Sequence, residues 1–298
     1  MKSLLLSILL LTASLALGEE APKWKKVLPN LPDTITLHEK VECSHPGDFS
    51  IPLDIYVPKA DGVYPTILLI HGGGWKQRQI ESDKPLAERL ALRGYVVAQV
   101  AYRLSTEAKY PAALHDCKAA LRFLRAHAVE YKINPLAIGV AGGSAGGHLS
   151  GLVGMTGGLA ALEGDGGNPE LPTTVQACVV MAATMDLVEA NKASNSEGYV
   201  LFFGPIADNR DVYVEASPIT HVSKESPPTL FIEGEKDTLK IGRAEMQEKL
   251  RNLGVRNEIV TLENAPHPYW MSQPWLDEAA KAIGDWFDLY LKGLPENK

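Results

Sequence analysis

The 298-residue sequence is poor in cysteine, in positive charge and in long apolar runs, and each shortage excludes a class of protein. It has three cysteines, Cys43, Cys117 and Cys178. An odd number cannot close a full disulfide framework, and a chain this long can bury enough surface to do without one. Cys117 and Cys178 lie in apolar segments and read as small buried hydrophobes. No C-x-x-C pair, HExxH or Cys/His cluster with zinc spacing occurs, so neither a metal nor another cofactor is expected. Lys and Arg number 29 against 36 Asp and Glu, a net charge of −7. A nucleic-acid partner or an anionic membrane surface would call for a basic face instead. Beyond the N-terminus no apolar run reaches the roughly 20 residues that span a bilayer.

What is present is an ordinary globular composition, 45% hydrophobic and 22% charged. That excludes disorder as the main state and allows one large domain or two small ones. Residues 1–18, MKSLLLSILLLTASLALG, carry one lysine, a leucine-rich run and small residues at Ala16 and Gly18. They read as a cleaved export signal, which places the mature chain, 19–298, in the periplasm or the medium. An uncleaved anchor is the competing reading.

Residues 19–33 are charged and proline-containing, a surface lead-in. Strand-like and helix-like stretches then alternate. Strands are expected at 51–57, 66–70, 95–100, 137–141, 175–182, 230–233 and 258–262. Helices are expected at 85–93, 112–131, 239–253 and 278–291, with another opening near Ala145. This rhythm predicts an α/β fold with a mostly parallel sheet and helices on both faces. Residues 184–226 break the rhythm and read as a cap-like insertion over one end of the sheet, with helix-prone residues at 186–195. In such sheets ligands bind beyond the carboxyl ends of the strands.

Gly142-Gly143-Ser144-Ala145-Gly146 is a G-x-S-x-G motif between an apolar strand and an apolar helix. A serine on that tight turn projects its hydroxyl into the cleft, and glycine fits where the neighbouring strand and helix come close. His71-Gly72-Gly73-Gly74-Trp75 follows the apolar run 66–70. Successive glycines there can turn amide N–H groups into the cleft. The candidate oxyanion donors are Gly73 and Ala145, with Gly72 as a third.

An acid and then a histidine must follow the serine in chain order. Three histidines do so, His148, His221 and His267. His148 lies too close in sequence to reach back over Ser144, and no strand-end acid stands between Ser144 and His221. His267, in a loop after the strand at 258–262, is the expected base. Asp237, in a polar turn after the strand at 230–233, is the expected orienting acid, with Glu235 as runner-up.

These blocks resemble the α/β-hydrolases, near the hormone-sensitive-lipase-like esterases that carry HGGG. The resemblance is closer still to secreted bacterial esterases related to acetylxylan and feruloyl esterases of the BD-FAE type. It is carried by HGGGW (71–75), AYRLS (101–105), YPAALHDCKAALRFLR (110–125), GGSAGGHLS (142–150), EGDGG (163–167), ASPITHVSKESPPTLFIEGEKD (216–237) and HPYW (267–270). It implies a serine esterase acting through an acyl-enzyme on a small-molecule or polysaccharide ester, with acetyl or feruloyl groups as the acyl class. Arg103 and Asp116 match buried polar positions of the family and read as structural. Trp75, Tyr269 and Trp270 are the candidate substrate-binding aromatics, and Trp275 reads as packing. A broad short-chain carboxylesterase is the alternative, and an inactive binding module on the same fold a further one.

Overall fold

The computed structural model describes residues 25–194 and 196–294, so the export-signal segment 1–18 lies outside the described residues. An eight-stranded sheet runs in the order β2 (Ile35–Ser44), β3 (Ile51–Pro58), β5 (Val96–Val100), β4 (Tyr64–Ile70), β6 (Ile133–Gly143), β7 (Ala177–Met181), β8 (Thr229–Gly234), β9 (Asn257–Leu262). From β5 to β9 the neighbours are parallel, while β2–β3 and β3–β5 pair antiparallel. A two-stranded antiparallel ribbon joins β1 (Lys25–Lys26), inside the expected lead-in, to β10 (Ser272–Gln273).

Helices α1 (Ile80–Leu92) and α8 (Trp275–Leu291) cover one face. Helices α2 (Ala112–Ala126), α3 (Ala145–Met155) and α7 (Arg243–Asn252) cover the other. This explains the unbroken apolar run at 66–70. Along β4, Leu68 and Ile70 enter one core while Ile67 and Leu69 enter the other. A strand buried on both faces has no polar face to alternate with. Each such side chain contributes about 2 kcal/mol on burial.

Between β7 and β8 lie three short helices, α4 (Leu187–Ala193), α5 (Glu197–Phe203) and α6 (Ile206–Glu215). Asp186 caps α4 by accepting the Glu189 amide, and Ser196 caps α5 through the Tyr199 amide.

Several boundaries differ from expectation. Helix α7 begins at Arg243, four residues late, because Gly242 (φ 78°) caps it in the left-handed region and residues 241–242 form a turn. Helix α2 ends at Ala126, and residues 127–132 turn back towards β6. Helix α8 starts three residues early, at Trp275. Strand β2 was not expected at all. It is an edge strand with two register shifts, and Glu39 and Lys40 place charge at its exposed centre.

Candidate active site

The carboxyl ends of β4, β6 and β8, with the loop after β9, converge on one end of the sheet. Ser144 closes β6 and opens α3 with φ 57° and ψ −123°, a backbone conformation that is rare outside glycine. Holding it costs roughly 1–3 kcal/mol, which the surrounding contacts must offset. The Ser144 amide donates to the Met181 carbonyl at 3.0 Å, and the Ser144 carbonyl accepts from the His148 amide at 3.0 Å. The turn tolerates no side chain two residues to either side. A Cβ at Gly142 would lie 2.5 Å from the Gly146 carbonyl oxygen, and one at Gly146 would lie 2.0 Å from that of Ile70.

Asp237 follows β8 and is buried. Its Oδ2 lies 2.8 Å from His267 Nδ1, and its Oδ1 accepts the Leu239 amide at 2.9 Å. Burial alone would raise its pKa. The hydrogen bond to His267 and the amides of Leu239 and Thr238 outweigh burial and hold it below the usual carboxylate range. With Nδ1 engaged, Nε2 is the imidazole nitrogen left to accept a proton. Glu235 faces away and accepts the Asn264 amide at 2.8 Å. The other two histidines are tied elsewhere. His148 is buried with Nε2 2.7 Å from the Ala216 carbonyl, and His221 Nε2 lies 2.6 Å from that of Glu215.

The His71–Trp75 loop turns sharply after β4, with positive φ at Gly73, Gly74 and Trp75. His71 stacks on Tyr102 at 4.3 Å, and the Tyr102 hydroxyl donates to the His71 carbonyl at 3.0 Å. Burial pushes the His71 pKa down to about 4, so the ring is neutral. Gly73 and Ala145, with Gly72 as a third, remain the candidate donors.

Beside Ser144 opens a cavity of about 500 Å³, lined by Trp75, Ala145, Thr184, Tyr199 and Leu239 among others. Trp75 also stacks on Phe202 at 5.3 Å and meets His148 edge-on, also at 5.3 Å. Helix α5 therefore supplies part of the wall. Tyr269 and Trp270 do not line the cavity, which corrects their assignment to substrate. Tyr269 is fully buried and its hydroxyl donates to the Ile232 carbonyl at 2.8 Å. Trp270 is 1% exposed and its Nε1 donates to Asp83 Oδ1 at 3.0 Å. The aromatic residues after His267 stand beneath the site. Trp275 is structural, its Nε1 donating to the Glu263 carbonyl at 2.9 Å. Arg103 and Asp116 form a two-pronged pair, with contacts of 2.7 and 2.9 Å.

Sequence reasoning missed Asp83 and Tyr199. Asp83 stands among charged residues, QIESDK, and nothing local marks it as buried. Tyr199 belongs to the stretch with the weakest periodicity. Among the described residues no group of three or more His, Cys, Asp or Glu side chains lies together as metal ligands would.

The BD-FAE family model matches residues 53–245. "Probable carboxylic ester hydrolase LipM" of Mycobacterium tuberculosis is 32% identical over 66% of this chain and 49% of its own length. The chain thus spans about half of that relative. Carboxylesterase NlhH, from the same species, is 28% identical over 87% of this chain and 83% of its own. A solved structure titled "Truncated form of carbohydrate esterase from gut microbiota" superposes with a TM-score of 0.78 at 26% identity, covering 90% of this chain and all of that one.

Proposed function

The chain belongs to the BD-FAE family, and from that premise we propose that it is an exported serine carboxylic-ester hydrolase that removes acetyl or feruloyl groups from plant polysaccharide. The observation that carries the chemistry is the 2.8 Å contact between His267 Nδ1 and Asp237 Oδ2 at the same sheet end as the strained Ser144. His267 Nε2 takes the Ser144 proton as the hydroxyl attacks the ester carbonyl. Asp237, kept ionised, fixes the imidazole tautomer and stabilises the imidazolium that forms. The amides of Gly73 and Ala145 hold the developing oxyanion, each donor of this kind contributing about 3–4 kcal/mol in the transition state. His267 then returns the proton to the leaving alkoxide. Water, deprotonated by the same histidine, attacks the acyl-enzyme and restores Ser144.

The polysaccharide reading is supported by the likeness to a carbohydrate esterase and by the apolar leader at 1–18, since an ester inside the cell needs no exported enzyme. The likeness to NlhH supports the alternative of a broad short-chain carboxylesterase. Acetate release from acetylated xylan by the chain from residue 19 onward, with Ser144→Ala beside it, separates them. Release that vanishes in the variant supports deacylation of polysaccharide. Hydrolysis of small esters alone supports the alternative. Mass spectrometry of the exported protein's N-terminus checks cleavage before Glu19.

A further inference from the structure

Asp83, on α1, is a buried carboxylate to which the proposed mechanism assigns no role; it is 2% exposed. Burying a carboxylate is unfavourable unless partners satisfy it. Its hydrogen-bond partner is one neutral donor, Trp270 Nε1 at 3.0 Å. Among the described residues no cation pairs with it. Lys84, next along the helix, turns instead to Glu39, Glu81 and Asp54. Titratable groups on the elements around α1 are engaged elsewhere. Tyr56 donates to Gln99, Tyr102 to the His71 carbonyl and Tyr269 to the Ile232 carbonyl, while Asp277 pairs with Arg89. Burial accordingly raises the Asp83 pKa to about 7, the Trp270 hydrogen bond only partly opposing it.

That donor touches two parts of the site. Trp270 lies three residues after His267 and meets its ring edge-on at 5.4 Å. The same indole packs so tightly on the serine turn that a Cβ at Gly143 would lie 2.3 Å from it. One carboxylate thus anchors the ring that packs on both the serine turn and the histidine loop.

We propose that Asp83 is a positioning residue for ester hydrolysis, its carboxylate holding the Trp270 indole against the serine turn and the His267 ring so that His267 stands in register with Ser144. This inference rests on the reading of Ser144, Asp237 and His267 as the catalytic triad. The carboxylate can accept the Trp270 N–H with either oxygen. An asparagine in its place has one accepting oxygen and presents N–H groups on the other side, so the tie is weakened. Alanine loses it. Displacements of about 1 Å in such a site cost up to a hundredfold in rate.

The experiment measures kcat and KM for 4-nitrophenyl acetate, and inhibition by a trifluoromethyl ketone, whose adduct with serine places an oxyanion where the ester's would form. Wild type, Ser144→Ala, Asp83→Asn and Asp83→Ala are compared, each checked for folding by thermal unfolding. The expected result is a kcat lowered about tenfold in Asp83→Asn and about a hundredfold in Asp83→Ala, with KM within about twofold. The ketone weakens by the same factors. Should the alanine variant not fold, the isosteric asparagine variant carries the test. Activity in wild type, none in Ser144→Ala and an unchanged kcat in Asp83→Asn overturn the positioning role alone. So does a loss shared between kcat and KM that leaves the ketone unaffected. Equal activity in wild type and Ser144→Ala overturns the triad reading instead.

Discussion

The floor and the roof of the cavity are built by different physics. The floor is backbone against backbone. At Gly142 and Gly146 the neighbouring carbonyl oxygens come within 2.0–2.6 Å of where a Cβ would stand. The roof, residues 184–226, is side chain against side chain. Its helices of 7, 7 and 10 residues are too short to persist alone. They are held by Phe202 stacked on Trp75, Phe203 against Tyr213 and the Ala216 carbonyl on His148. A floor of this kind admits almost no variation, which suits a fixed chemistry. A roof of this kind can be repacked, which suits the part of a site that sets which substrates fit.

That contrast can be broken at its strongest point first. Gly146→Ala places a methyl 2.0 Å from the Ile70 carbonyl oxygen, so the serine turn cannot form as it stands. The expected outcome is loss of soluble folded protein or of all activity, read by circular dichroism and ester hydrolysis. Asp237→Asn comes next. It keeps the shape but favours the wrong imidazole tautomer, and kcat should fall about 10⁴-fold with little change in melting temperature.

On the roof the expected signature is reversed. Phe202→Ala removes a fully buried ring and should cost about 3–5 kcal/mol in urea unfolding. Ser144, Asp237 and His267 are untouched, so on the proposed mechanism kcat for a small acetate ester should stay within about tenfold while preference among acyl groups shifts. A collapse of kcat for every ester would mean that the roof also holds the floor.

The smallest expected effect lies at the joint between the two. Burial pushes the His148 pKa from 6.5 down to about 4, the Ala216 carbonyl opposing only part of this. Between those values the unfolded chain binds a proton that the folded chain refuses. Stability present above pH 6.5 is therefore lost as pH falls towards 4, by up to about 3 kcal/mol from this residue. His71 acts in the same direction. His148→Gln should flatten, without abolishing, the fall of the unfolding free energy between pH 6.5 and 4.

The same contrast explains what was legible in the sequence. Strands buried on both faces announce themselves as unbroken apolar runs, so β4, β7 and β8 were readable. The G-x-S-x-G turn and the order of serine, acid and histidine favour His267 over His148 and His221, because backbone connectivity decides which groups can reach the cleft, whereas Asp237 is separated from its runner-up Glu235 only by the contacts each makes. Edge strand β2 was illegible, since its charged centre has no pattern to keep. Long-range side-chain contacts were equally hidden. Nothing local reveals that Trp270 turns beneath the site to meet Asp83, or that Tyr199 returns over Trp75. An aromatic beside a catalytic motif reads as a substrate platform, yet Tyr269 and Trp270 are floor beams.

The most direct test of the central claim is covalent labelling by a serine-directed phosphonate, read by intact mass and peptide mapping. A single adduct is expected on the peptide containing Ser144. Labelling should vanish in Ser144→Ala and slow sharply in Asp237→Asn, while both variants keep the wild-type fold. An adduct on another residue, or a folded wild-type protein that takes up no label, would contradict the account.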